Sequence, residues 1–333
     1  MDVKVKEILK YAISAAVACV LLYFSFREVK WDDFIQGLEQ CRWGYVLLSM
    51  LAGVLAFWLR AVRWRRLIVP IDPDTGMLTV FNAVNIGYIS NFVVPRIGEF
   101  VRCGVVSRNS EGRRASYEAV LGTVVLERAW DLVSMLILLV VLLVARMDMF
   151  GDFFVEKMLG PLSEKLNFSL WWILFCGLAV ASAGVWGIWR LHDKNVFCGK
   201  IWNFFAGLLQ GLSSCLKMKS KWLFLADTVL IWSMYWLMAA ATMWAVPELD
   251  GLGMVDALFL SIVGSLGWIV PVPGGFGAFH FVVSMALSAI YGIPFSMGIV
   301  FATLSHESQA VTMILFGGGS SLYELFRRRS SRS

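Results

Sequence analysis

Glu127-Arg128-Ala129-Trp130-Asp131 places two carboxylates four residues apart, with a guanidinium beside the first, inside an otherwise apolar run. Residues four apart share one face of a helix, so Glu127 and Asp131 point the same way. A charge at the centre of a membrane helix costs roughly 2.5–3.5 kcal/mol, which turns such groups inward to pair. Arg128 is therefore expected to meet Glu127, Asp131 or Glu99; simple ion-pair glue is the structural alternative. A second run, Pro95-Arg96-Ile97-Gly98-Glu99-Phe100-Val101-Arg102, sets two more guanidinium groups around a proline–glycine break. Pro95 ends a helix, Gly98 permits a turn or a close approach, and a new helix start brings unpaired N–H groups. Arg96, Arg102 and Arg128 then form a phosphate-binding set, because guanidinium forks and helix N-termini both favour phosphate oxygens. The bland reading is that the arginines of this second run snorkel to lipid headgroups.

The third run, Pro271-Val272-Pro273-Gly274-Gly275-Phe276-Gly277-Ala278-Phe279-His280, forces a sharp backbone break. N–H groups exposed in such a turn form an anion nest. His280, and His306 with Glu307 further on, offer proton or headgroup contacts near neutral pH. Buried hydrogen-bonded histidines are the commoner case.

The elements that must carry these runs are apolar helices. The chain is 59% hydrophobic over 333 residues, with a mean hydropathy of +0.71. A soluble fold of that composition would expose too much apolar surface, so the bilayer is the expected solvent. A span needs about 20 apolar residues. Stretches near 8–26, 43–64, 118–145, 170–189, 221–246 and 296–320 qualify. Stretches 78–94 and 255–292 are apolar but interrupted by Pro and Gly. Val196–Lys217 reads as an amphipathic helix lying on the membrane.

Lys and Arg fix the direction. With the N terminus inside, only Arg27, Lys30, Arg42, Arg146, Lys157 and Lys165 fall outside and Arg128 lies within a span; the rest of the 29 are cytoplasmic. That bias follows the positive-inside rule only when both interrupted stretches enter and leave on one side. The expected fold is an all-α polytopic membrane protein of about six full spans and two re-entrant helical hairpins. Both termini are expected in the cytoplasm and the location in the cell inner (plasma) membrane.

The halves also resemble each other. Val94-Pro95-Arg96-Ile97-Gly98-Glu99-Phe100 aligns with Val270-Pro271-Val272-Pro273-Gly274-Gly275-Phe276. Phe57-Trp58-Leu59-Arg60-Ala61 aligns with Tyr235-Trp236-Leu237-Met238-Ala239, and Val133-Ser134-Met135-Leu136 with Val311-Thr312-Met313-Ile314, at a nearly constant offset. The expected single domain is a first span (8–26), a repeat unit (43–145), a span with an amphipathic connector (170–217), a second unit (221–320) and a basic tail (321–333). Oppositely inserted units with broken helices near the midplane are a transporter architecture. The re-entrant breaks would be Pro95, Gly98, Pro271, Pro273, Gly274, Gly275 and Gly277. Two Pro-kinked ordinary helices are the alternative.

No Walker A lysine, HExxH, GxSxG or metal-ligand spacing of His is present, so no ATP-driven pump, catalytic residue, metal or cofactor is expected. The six scattered Cys form no disulfide or zinc pattern. The net charge of +5 is spent on topology, and no nucleic-acid partner is expected.

Together, Pro95-Arg96 with Gly98-Glu99 and Arg102, Glu127-Arg128 with Asp131, and Pro271, Pro273-Gly274-Gly275 with Gly277 resemble the lysylphosphatidylglycerol synthase transmembrane-region family over about residues 8–325. The resemblance implies a membrane region that moves aminoacylated phospholipid between leaflets. In bifunctional members a soluble aminoacyl-transferase domain follows; none is expected here, so lipid aminoacylation is not. The family pattern tends to place Glu where this chain has His280 and often Arg near His306, which implies a different headgroup. The first reading is thus a flippase for an anionic or phosphate-bearing lipid, with Arg96, Arg102 and Arg128 on the phosphate and Glu99, Glu127 and Asp131 as charge partners. Two others stand beside it. One is a membrane-embedded transferase, or an accessory subunit of a separately encoded one. The other is a proton-coupled solute transporter using His280, His306 and Glu307. Substrate identity and oligomeric state are left open.

Overall fold

The computed structural model describes residues 29–110, 115–146, 218–268, 270 and 272–330, with isolated positions between 16 and 27 and between 190 and 202. The expected spans at 8–26 and 170–189, the connector at 196–217 and Pro271 lie wholly or largely outside the described residues. Every described element is a helix: α1 (Trp31–Glu39), α2 (Trp43–Ile68), α3 (Met77–Val93), α4 (Gly98–Asn109), α5 (Tyr117–Ala145), α6 (Lys221–Ala245), α7 (Met254–Gly267), α8 (Ala278–Tyr291) and α9 (Phe295–Ser330). Five described segments are long and apolar enough to cross a membrane: Trp43–Ile68, Tyr117–Ala145, Lys221–Ala245, Pro273–Tyr291 and Phe295–Arg327. Four coincide with expected spans. The fifth falls within 255–292, which the sequence reading assigns to a hairpin.

Local chemistry explains the boundaries. Ser116 caps α5 by accepting from the Ala119 N–H, with Glu118 in the first turn. Asp256 reaches back to the Gly253 N–H at 2.8 Å to start α7. α8 stops on Gly292 at φ 65°, a left-handed position that glycine takes without strain, and Pro294 follows. α9 does not stop at 320. The helix runs on through Gly317-Gly318-Gly319, and beyond them Glu324, 3% exposed, accepts from Asn82 at 3.3 Å and Asn109 at 3.0 Å.

α2 and α6 run antiparallel along much of their length. At one end the Arg42 N–H donates to Ala245 O and the Arg42 fork grips Asp250; at the other, Arg66 grips Asp227. Hydrogen bonds from Arg42 hold the Asp250 carboxyl below the ordinary carboxylate range. One apolar core joins the end of α6 to α7, α8 and the first half of α9; a second joins α2, α3, α4 and the start of α5. Leu132, Leu136, Ile137, Val140 and Val144 of α5 project outward, as do Leu47, Leu51 and Leu55 of α2. Outward apolar stripes of this length suit hydrocarbon rather than water.

Two interrupted helix pairs start from opposite ends of the bundle. Arg327 donates to Thr79 near the start of α3, and Asn109 at the end of α4 reaches Glu324, so α3 begins where α4 ends. Tyr291 at the end of α8 donates to Asp256 at the start of α7. The two breaks meet: the Phe92 and Phe276 rings stack edge-on, 5.9 Å apart.

Gly98 serves close approach rather than the turn. A Cβ there would lie 2.1 Å from Gly87 O, so α3 and α4 touch backbone to backbone. Gly98→Ala is expected to push them apart and cost about 1–3 kcal/mol. Thermal unfolding of the purified variant in micelles checks it, with Gly104→Ala, where a Cβ meets nothing within 4 Å, as the neutral control.

Candidate functional site

The site begins with α5. Its Glu127 and Asp131 do share a face, and that face meets α2. Arg60 Nη2 donates to Glu127 Oε1 at 2.6 Å and to Asp131 Oδ2 at 2.8 Å. Arg63 Nη2 donates to Asp131 Oδ1 at 2.5 Å and, more distantly, to Glu127 Oε1 at 3.4 Å. Behind them, Arg102 Nη2 lies 2.9 Å from Glu127 Oε2, its guanidinium stacked 4.5 Å over the Trp64 ring. Arg63 and Glu127 are fully buried. Arg128 turns the other way, donating to Glu99 at 2.6 Å, with Asp131 at 3.9 Å.

The sequence reading paired Arg128 with Glu127, Asp131 or Glu99; the structure gives it Glu99 chiefly, and gives Glu127 to Arg60, Arg63 and Arg102. Arg60 and Arg63 were missed as site residues. They are expected above as cytoplasmic charges, yet both fall inside the 43–64 run. Their three-residue spacing on one helix face was the available signal. Arg60, Arg63 and Arg102 thus pair with carboxylates inside the bundle.

Among these seven residues, four guanidinium groups face three carboxylates, which leaves a positive excess. The excess borders a cavity of about 780 Å³. Arg60, Arg96, Glu99, Arg128 and Asp131 line it together with Trp232, Leu260, Phe279, Phe301 and Met313, and with Gly274 and Gly275 of the second break. Pro95 lines it too. Arg102 does not; it sits behind the wall on Glu127 and Trp64. Glu99 Oε2 and Trp232 Nε1 are buried with no hydrogen-bond partner among the described residues, so the lining offers one acceptor and one donor.

The turns differ in detail from the expectation. Arg96, not Gly98, takes the left-handed backbone at φ 65°. That conformation costs a non-glycine residue about 1–2 kcal/mol and aims its side chain from the break. The α4 start is not left open either: the Gly98 N–H donates to Asn91 Oδ1 at 2.7 Å. In the second break, Gly274, Gly275 and Gly277 all have positive φ. The Gly275 and Phe276 N–H groups bond within the turn, to Val272 O and Pro273 O, so they do not form a nest.

His280, His306 and Glu307 come together beside this turn and outside the cavity lining. His306 Nε2 lies 2.8 Å from Gly274 O and Nδ1 lies 2.9 Å from Glu307 Oε1; His280 Nε2 is 3.7 Å from the same oxygen. The ring of His306 stacks on Trp268 at 5.1 Å. No local spacing in the sequence marks this trio.

A family model described as lysylphosphatidylglycerol synthase TM region matches residues 8–317. Nothing matches among curated proteins or solved structures.

Proposed function

This chain belongs to the lysylphosphatidylglycerol synthase TM region family, a multi-pass membrane protein, and from that premise we propose that it moves an anionic, phosphate-bearing lipid between leaflets. The observation that carries the reading is the cavity itself: surplus guanidinium charge set among apolar and aromatic side chains, at the place where two helix breaks meet. Arg96 and Arg128, with Arg60 behind them, take the phosphate oxygens through charge-assisted hydrogen bonds. Arg102 acts from behind, holding Glu127. Glu99 Oε2 accepts from a hydroxyl or amine on the headgroup. The volume sits within the 300–1,000 Å³ of small-molecule sites, about enough for a headgroup while acyl chains stay in the bilayer.

The membrane arrangement is part of the proposal. α3 with α4, and α7 with α8, are two re-entrant hairpins inserted from opposite sides, halves of an inverted repeat. The lengths of α4 and α7 support it: with 12 and 14 residues they make about 18 and 21 Å of helix, short of a hydrocarbon core of about 30 Å. Both termini face the cytoplasm, and the membrane is the plasma membrane. Interrupted backbone at that depth is tolerated where it lines a cavity, and Pro95, Gly274 and Gly275 do line one. The breaks act as gates that open the cavity to one leaflet at a time.

The test reconstitutes the purified chain in liposomes carrying fluorescent lipids and follows their exposure to a membrane-impermeant quencher. Anionic phospholipids are expected to equilibrate between leaflets faster than zwitterionic ones. Rates equal to protein-free liposomes for every lipid class would remove the proposal.

A further inference from the structure

The hydrogen-bonding of His306 is unusual for a neutral ring. Its Nε2 faces a backbone carbonyl at 2.8 Å, and a carbonyl oxygen only accepts, so Nε2 carries the proton. In the neutral ring Nδ1 is then a lone pair, yet it faces a carboxylate oxygen of Glu307 at 2.9 Å. Two acceptors at that distance repel unless a cation lies between them. The ring is 0% exposed, so no bulk water relieves the contact. His280 adds the third member. It is 2% exposed, its Nδ1 has no hydrogen-bond partner among the described residues, and its Nε2 lies 3.7 Å from the same Glu307 oxygen.

We propose that His280, His306 and Glu307 form a binding site for a divalent transition-metal ion of the zinc class. One ligand atom from each lies within 4.8 Å of the others, a span that modest side-chain rotation closes onto one ion. Two imidazole nitrogens and one carboxylate oxygen suit Zn²⁺, Co²⁺ or Ni²⁺ rather than Mg²⁺ or Ca²⁺, which prefer oxygen. The Nε2–H bond to Gly274 O is the outer-shell contact that fixes the tautomer of a metal-bound histidine and turns its other nitrogen to the ion. The Glu307 side chain is 43% exposed, which gives the ion a way in. A second proton on His306 also satisfies Glu307; the metal in addition engages His280, whose Nε2 lies 3.7 Å from that carboxylate oxygen. Because His306 holds the Gly274 carbonyl, an ion here staples α9 and α8 to the second break. This site does not depend on the lipid-transport reading.

The full chain, purified in detergent and stripped with EDTA, is titrated with Zn²⁺ and Co²⁺. Inductively coupled plasma mass spectrometry is expected to find about one ion per chain, and the Co²⁺ form a visible band of a four- or five-coordinate N/O site. Metal is expected to raise Tm. His306→Gln and His280→Gln, each required to match the metal-free Tm and elution volume of the wild type, are expected to weaken binding by about tenfold or more, and shape-preserving Glu307→Gln likewise. Absence of saturable binding to the wild type overturns the site. So does binding unchanged in all three variants, or a pH-dependent Tm that these variants remove while metal has no effect, which assigns the cation between His306 and Glu307 as a proton.

Discussion

Glu127→Ala is expected to destabilise the protein by about 3–5 kcal/mol, the largest stability effect of any single change in the ion cluster. Glu127 is 0% exposed and meets Arg60, Arg63 and Arg102, of which Arg63 is also 0% exposed. Removing the carboxylate takes away the ion pair that Arg102 makes among the described residues and crowds Arg60 and Arg63 onto Asp131. The cost comes from guanidinium charge held away from water, not from the value of any one bond. Thermal unfolding in micelles reads it directly. A double-variant cycle tests the cause: Arg102→Leu with Glu127→Leu is expected to be less destabilised than the sum of the two single changes. Additive losses, or a Glu127→Ala variant with the wild-type Tm, would mean that the network is not what holds α2, α4 and α5 together.

The sequence made the helices and the inward face of α5 readable, because apolar run length and the four-residue spacing of Glu127 and Asp131 are local signals. Both ends of the cluster on that helix were legible. Its partners on α2 were not, since an arginine near the end of an apolar run looks the same whether it meets headgroups or a buried carboxylate. Only the α2–α5 packing separates the two cases, and Arg60 and Arg63 fell on the side that the sequence did not favour. The first break shows a similar limit. Pro and Gly mark where the backbone turns, but the positive φ sits on Arg96, and Gly98 is needed for contact with Gly87. That division depends on how closely α3 and α4 approach. The His280, His306 and Glu307 cluster had no local signature, because a backbone turn between two helices brings it together.

Arg128→Ala is expected to slow lipid equilibration in the reconstituted assay by about 10–100-fold, the span that corresponds to losing a charged hydrogen bond of about 1.5–3 kcal/mol. Its position separates function from folding. The Arg128 side chain is 45% exposed, against 0% for Glu127, and lines the cavity where Glu127 does not. Solvent screening therefore discounts its bond to Glu99, and Tm is expected to fall far less than in Glu127→Ala. Arg128→Lys keeps the charge but loses the planar fork, so it is expected to fall between alanine and wild type for a phosphate headgroup. Glu99→Gln releases Arg128 from its partner while leaving the guanidinium in the cavity, so it is expected to retain more transport than Arg128→Ala. If Arg128→Ala equilibrates every lipid at the wild-type rate, its surplus charge has no ligand, and the cluster is structural. A slowed rate with an intact fold places the headgroup contact on α5, where one helix then holds both the buried carboxylate that fixes the bundle and the cation that meets the lipid.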